Sequence, residues 1–412
     1  MTEKTTLPTR LALLRNVAPL VGAAGIGLGL LLAFLFAEGM NTFFQATHYS
    51  FWILLGLSTG SIALLMIPHM TGGAWSFVSQ RVFEAFSRTL IVPAIMFLPL
   101  WAGTALDWHT IFSAWTHPEG HVVPQKAAYL NMSFWTGRAL LYFVIWFGIA
   151  FLFNGWSREL ASKGDALITL KFRKAAPVAL IAYCLTMTFA AVDWGQSIEA
   201  EWFSTIYAPL TWISQGLTVF AVTILLLDQL SDEKPLSRFL AVEHFHTIGN
   251  LICGFIVIWT YMSFSQFLII WAGNLPEEIH YYLDRSHSQF YVTVIGILML
   301  GHFFLPFMLL LQRKVTYNVG TLRAVCWWVL GMRLVDIFFW FNPAYHPGYT
   351  SAPWADIFVY ACVFAGFAGI YFWWFLGQLS QASLLPMNDP RMHKALDPGH
   401  GHGHGEEAIE HA

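Results

Sequence analysis

Long apolar runs alternate with short polar stretches along the whole chain. Ten runs of about twenty residues recur, each long enough to cross a ~30 Å hydrocarbon slab. They lie at Val17–Phe36, Tyr49–Pro68, Thr89–Leu106, Phe134–Phe153, Ala175–Val192, Ile206–Leu227, Thr247–Trp271, Phe290–Leu311, Leu322–Phe341 and Ile357–Leu376. The pattern predicts an all-α polytopic membrane protein with ten transmembrane helices. A basic segment, 1–16, precedes a membrane domain, 17–376, and a tail, 377–412, follows it. The start resembles a signal peptide. Its apolar run is too long for one, however, and no small-residue cleavage site follows, so it reads as a retained first span.

Basic residues set the orientation. Seventeen of the 21 Lys and Arg residues fall on one side, in the N-terminal segment, the loops after spans two, four, six and eight, and the tail. Lys126 and Arg285 lie in opposite loops, Arg138 near the outer end of span four, and Arg333 inside span nine. By the positive-inside rule both termini are cytoplasmic.

Composition agrees. Hydrophobic residues are 57% and charged residues 11%, against about 25% charged in soluble domains. A net charge of −3 offers nucleic acid no footing. The cysteines, Cys184, Cys253, Cys326 and Cys362, all sit in apolar runs and form no Cys-x-x-Cys. This argues against an iron–sulfur cluster, covalent haem or zinc held by this chain. The tail alternates His and Gly from His400 to His404 and has no apolar face, so disorder is expected there.

The polar positions inside the runs carry the chemistry. Arg333 and Asp336 fall roughly 15–20 Å along span nine, near mid-bilayer, and their spacing of three puts them on one face. A lone charge there costs at least ~2.5–3.5 kcal/mol, so each must face the interior and find a partner. They are either a self-neutralising structural pair or a gate for protons. His69 closes span two on the cytoplasmic side. His244 and His246 open span seven near Glu243 and Asp228, and His302 lies about two-thirds of the way inward in span eight. Imidazoles exchange protons readily near neutral pH. A path from His246 through His302 to Arg333 and Asp336 is therefore chemically plausible. Bis-histidine haem would need two His at equal depth, and His246 and His302 differ by most of two turns.

The outer loops are acidic and aromatic, which suits either a headgroup belt or docking of an extracytoplasmic partner. Asp193, Trp194, Trp202 and Tyr207 could wall a quinone site there, with the carboxylate receiving quinol protons. A faint internal repeat pairs Gly56-Leu-Ser58 with Gly216-Leu-Thr218, and Met187 to Asp193 with Met332 to Asp336. It suggests two four-helix bundles, spans two to five (49–192) and six to nine (206–341), flanked by spans one and ten.

Three segments carry a resemblance. They are Thr71-Gly-Gly-Ala-Trp75 with Arg81-Val-Phe-Glu84 and Arg88, Asp193-Trp-Gly-Gln-Ser-Ile-Glu199 with Trp202 to Tyr207, and Tyr261-Met-Ser-Phe-Ser-Gln through Glu277-Glu278. In these the chain resembles the polysulfide-reductase membrane-subunit (NrfD-like) family, and within it the ActF-type subunits of alternative complex III. The likeness spans all ten runs and leaves out the tail. It implies a quinol-oxidising complex of the bacterial inner membrane whose electrons pass through iron–sulfur and c-haem subunits to cytochrome c or an oxidase. Beside this subunit would sit a homologous membrane subunit that oxidises quinol. The ActF type implies an incomplete quinol pocket and a proton path. The leading expectation is thus a subunit without its own metal cofactor that scaffolds the complex and lines a proton path. The alternatives are a quinol-binding subunit, or a separate secondary transporter, which would favour broken helix pairs not evident here.

Overall fold

The computed structural model describes residues 7–71, 76–108, 111–117, 124–346, 353–386 and 389. The His–Gly tail, His109, His121 and most of Thr71–Trp75 lie outside them. Ten helices are long and apolar enough to cross a membrane. They are α1 (Thr9–Phe36), α2 (Met40–Thr71), α3 (Gln80–Ala105), α4 (Met132–Lys163), α5 (Leu167–Trp194), α6 (Tyr207–Leu230), α7 (Val242–Gly273), α8 (Gln289–Leu310), α9 (Val319–Tyr345) and α10 (Trp354–Leu379). The chain is a multi-pass membrane protein.

Most helices outrun the apolar runs that announce them. α1 begins at Thr9, so Arg10 and Arg15 ride on it rather than in a separate segment. α3 begins at Gln80, nine residues ahead of the apolar run, because its polar first turns are buried rather than looped out. The helix ends carry local signals. Asn131, Asp165, Ser288 and Asn318 each accept a hydrogen bond from a backbone N–H of the first turn. Gly164 takes the left-handed conformation, φ 63°, that closes α4.

α2 and α6 form the hub. In each, 89% of the apolar window is buried, against 17% in α1. α2 packs against α1, α3, α5, α6, α9 and α10, and α6 against α2, α5, α7 and α9. Hub helices have no lipid-facing side, so they tolerate hydroxyls. Ser50, Thr59, Ser61, Thr218 and Thr223 turn theirs back onto the carbonyl one turn earlier. Gly60 lets α6 approach closely: a Cβ there would stand 3.1 Å from the Gln215 backbone. α1 holds to the body chiefly through α10. At that seam a Cβ on Gly25 would lie 2.7 Å from Gly366 Cα, so the two backbones meet with no room for a side chain.

Connections alternate between two ends of the bundle. The basic end carries the short links after α2, α4, α6 and α8. The distal end carries the acidic, aromatic links, which meet one another there. Lys126 donates to the Ala200 and Glu201 carbonyls, and Arg285 pairs with Glu199.

Candidate functional site

The deepest charged groups of the candidate site lie on α9. By helical rise Arg333 and Asp336 stand about 21 and 26 Å from Val319, in the middle third of the helix. Their side chains are 4% and 2% exposed. Arg333 Nη1 donates to Asp336 Oδ2. Arg333 Nε also reaches Thr218 Oγ1 of α6 at 3.4 Å. Trp259 Nε1 of α7 donates to Asp336 Oδ2 at 3.2 Å. Tyr49 of α2 donates to the carbonyl of Leu334, between the charged residues, at 2.9 Å. Four helices therefore enclose the pair, and neither charge faces lipid.

His302 completes the cluster from α8. Its ring lies 4.0 Å from the Trp259 ring, centroid to centroid. It is 1% exposed, and neither ring nitrogen has a hydrogen-bond partner. The backbone around it is unusual. Leu298–Phe304 forms a π-helical stretch, a distortion frequent at functional sites. One carbonyl of this stretch, on Gly301, accepts from Trp328 Nε1 of α9 at 2.7 Å. A Cβ on Gly301 would come 2.7 Å from Met332 Sδ, so α8 and α9 touch beside Arg333. The Ser214 hydroxyl, one turn before Thr218, is also buried without a partner.

The other predicted relay residues do not join this cluster. His244 Nδ1 accepts from the Ala241 backbone N–H at 3.1 Å and so closes the first turn of α7. His246 hydrogen-bonds Thr316 at 2.8 Å and Asn250 at 3.1 Å, with its ring 4.2 Å from Tyr317. His69 stacks on Phe172 at 4.1 Å. Asp228 pairs with Arg323 at 2.9 Å on a partly exposed surface. His302 sits at the level of Trp259, thirteen residues and about 20 Å beyond His246 along α7. The buried face of α7 between them is Ile248, Gly249, Ile252 and Ile256. On α7, therefore, an apolar buried face separates the levels of His246 and His302, which periodicity alone does not reveal.

At the distal end Asp193 is saturated. Arg138 grips it with Nε at 2.8 Å and Nη2 at 2.7 Å, and Tyr142 donates at 2.7 Å. Trp194 is buried, and its carbonyl accepts from His48 Nε2 at 2.7 Å. Trp202 stacks on Tyr281 at 3.9 Å, and Tyr207 packs on Trp340 at 4.9 Å. The void that Trp202, Tyr207, Tyr281 and Trp340 share holds about 10 Å³, room for about one water and not for a quinone ring.

Three further buried Arg–carboxylate pairs escaped depth counting, because their arginines read as loop or helix-end residues. Arg138 holds Asp193. Arg81 meets Glu84 at 2.6 Å, with Ser157 and Gln80 on the same carboxylate. Arg285, 1% exposed, meets Glu199 at 2.8 Å. Burial opposes the Arg285 charge, but Glu199 and Tyr281 beside it outweigh burial and hold the guanidinium above its ordinary range. The indole of Trp259 gave no polar signal in the sequence, since a tryptophan in an apolar run reads as core. Among the described residues no group of three or more His, Cys, Asp or Glu side chains is placed to share a metal ion. Set beside known protein families and curated proteins, the chain matches none.

Proposed function

We propose that the chain is a membrane subunit of a quinol-oxidising respiratory complex of the alternative complex III type, and that Arg333, Asp336 and His302 handle protons within it. The carrying observation is His302. A buried imidazole with two unpartnered nitrogens costs stability, and a π-helical stretch holds it beside an enclosed ion pair. A purely structural core would fill that place with an apolar ring. An imidazole there can take a proton; its cation would face the Arg333 guanidinium, so the proton is handed on rather than held. Asp336 is the acceptor within the cluster, and Trp259 orients its carboxylate.

The complex itself comes from the sequence resemblance. By that reading the chain belongs to the ActF type. Quinol oxidation, iron–sulfur clusters and haem c would reside in the homologous membrane subunit, the iron–sulfur subunit and the c-type cytochromes, with lipid around the rest. Both termini would face the cytoplasm of the bacterial inner membrane. The helices would form two four-helix bundles, α2–α5 and α6–α9, with α1 and α10 outside. The packing of α4 on α5, of α6 on α7 and α9, and of α1 on α10 supports that division.

A second reading makes the chain a quinol-binding subunit through Asp193, Trp194, Trp202 and Tyr207. Saturation of Asp193 and the water-sized void favour the first reading over it. The test is the complex in vesicles, with quinol oxidation and proton release measured together in Asp336→Asn. Electron transfer with fewer protons released per electron is expected; an unchanged proton count in an intact complex overturns the proposal.

A further inference from the structure

Trp340 connects the surroundings of Asp336 to the distal end of the molecule. Trp340 lies one turn beyond Asp336, about 6 Å along α9. Its carbonyl accepts from Arg285 Nη2 at 3.1 Å, and the same Nη2 donates to Glu199 Oε1 at 2.8 Å. The other carboxylate oxygen, Glu199 Oε2, is buried with no hydrogen-bond partner, and so is Trp202 Nε1. Both residues line the 10 Å³ void, together with Tyr207 and Trp340. A void of that size admits about one water, and one there can bond an acceptor and a donor that otherwise lack partners. On its other side Glu199 borders an open distal cavity of about 440 Å³, whose walls include His117, Glu201 and His280. Glu199 thus stands between an open vestibule and a water-sized chamber whose wall includes Trp340, the residue one turn beyond Asp336.

We infer that Glu199 is the exit group of the proton path: it takes a proton that leaves Asp336 past Trp340 by way of water in the chamber beside Trp202 and Tyr207, and releases it into the vestibule. The inference rests on the proton-handling reading of Asp336. In the step the O–H bond of protonated Asp336 breaks and its proton goes to water that leads past Trp340 into the chamber. The water passes a proton to the Glu199 carboxylate, where a new O–H bond forms. Asp336 returns to the carboxylate that Arg333 neutralises. Glu199 then loses its proton to the vestibule and returns to the carboxylate that Arg285 neutralises. Charge balances at both stations because each carboxylate keeps a fixed guanidinium. Around Glu199 the charged and titratable groups are Arg285, Tyr281 and Tyr207, with Glu201, His117 and His280 across the vestibule.

The experiment uses the assembled complex in vesicles, with single-turnover quinol oxidation and proton release read together. Glu199→Gln is expected to leave electron transfer within about twofold and to slow proton release about tenfold or more, as loss of a positioned proton carrier does. Glu199→Asp should restore most of the release, while Glu201→Gln should leave it unchanged. If Glu199→Gln does not assemble, Trp202→Phe, which removes one donor to the chamber and keeps the stacking, should slow release in the same way. If Asp336→Asn lowers proton release and both Glu199→Gln and Trp202→Phe leave it intact, the exit assignment is overturned while the central cluster stands. If Asp336→Asn also has no effect, the underlying reading is what has failed.

Discussion

Replacing Asp336 by asparagine removes the negative half of the central pair while keeping its shape. Arg333 is 3% exposed, and its remaining partner on another helix is the Thr218 hydroxyl at 3.4 Å, a long contact. The guanidinium would be left charged, buried and poorly hydrogen-bonded. Breaking a buried pair from one side costs about 3–5 kcal/mol, which lowers the folding constant by roughly two to four powers of ten. Removing both charges, as in Arg333→Met with Asp336→Leu, takes away the uncompensated ion. Chief among the groups left unsatisfied is Trp259 Nε1, a lost acceptor worth about 1–3 kcal/mol, with the Trp340 indole, which also faces the carboxylate, beside it. The double variant should therefore be more stable than Asp336→Asn alone, a coupling opposite in sign to additive loss. Reversible unfolding in mixed micelles, followed by near-ultraviolet circular dichroism, measures all three. Equal stability of Asp336→Asn and the native chain, or a double variant weaker than the single one, would refute the claim that the two charges depend on each other in a low-dielectric enclosure.

Three further outcomes are expected. His302→Phe should keep or raise the melting temperature, because it removes two unpartnered buried nitrogens without opening a cavity, yet lower proton release as Asp336→Asn does; a drop of several degrees would mean that the imidazole has partners. Gly25→Leu should pry α1 from α10, since the nearest obstacle is backbone, and cysteine cross-linking between the two helices should report the loss. Burial pushes the Tyr281 phenol up to about 12, with Arg285 pulling the other way. The folded chain therefore keeps this proton when the unfolded chain sheds it near 10, and stability falls as pH rises from about 10 to 12. Tyr281→Phe should flatten that part of the alkaline unfolding curve.

Much of the protein is written in one dimension. Apolar runs of membrane length announce ten helices, and Arg333 and Asp336 at a spacing of three announce a buried pair, because hydrocarbon forbids an unpaired charge wherever it lies in the chain. Which charges count as deep was less legible. Arg81, Arg138 and Arg285 sit next to polar residues, so hydropathy assigns them to edges; their partners Glu84, Asp193 and Glu199 take them inside. What separates His246 from His302 was hidden for a related reason. Depth along a helix can be counted, but the isoleucines that intervene are revealed only when the face of α7 is known. Trp259, Thr218 and the π-helical turn at His302 depend on which helices touch. Contacts between helices arise from the shape of side chains meeting across space, and a linear order of residues does not contain that shape.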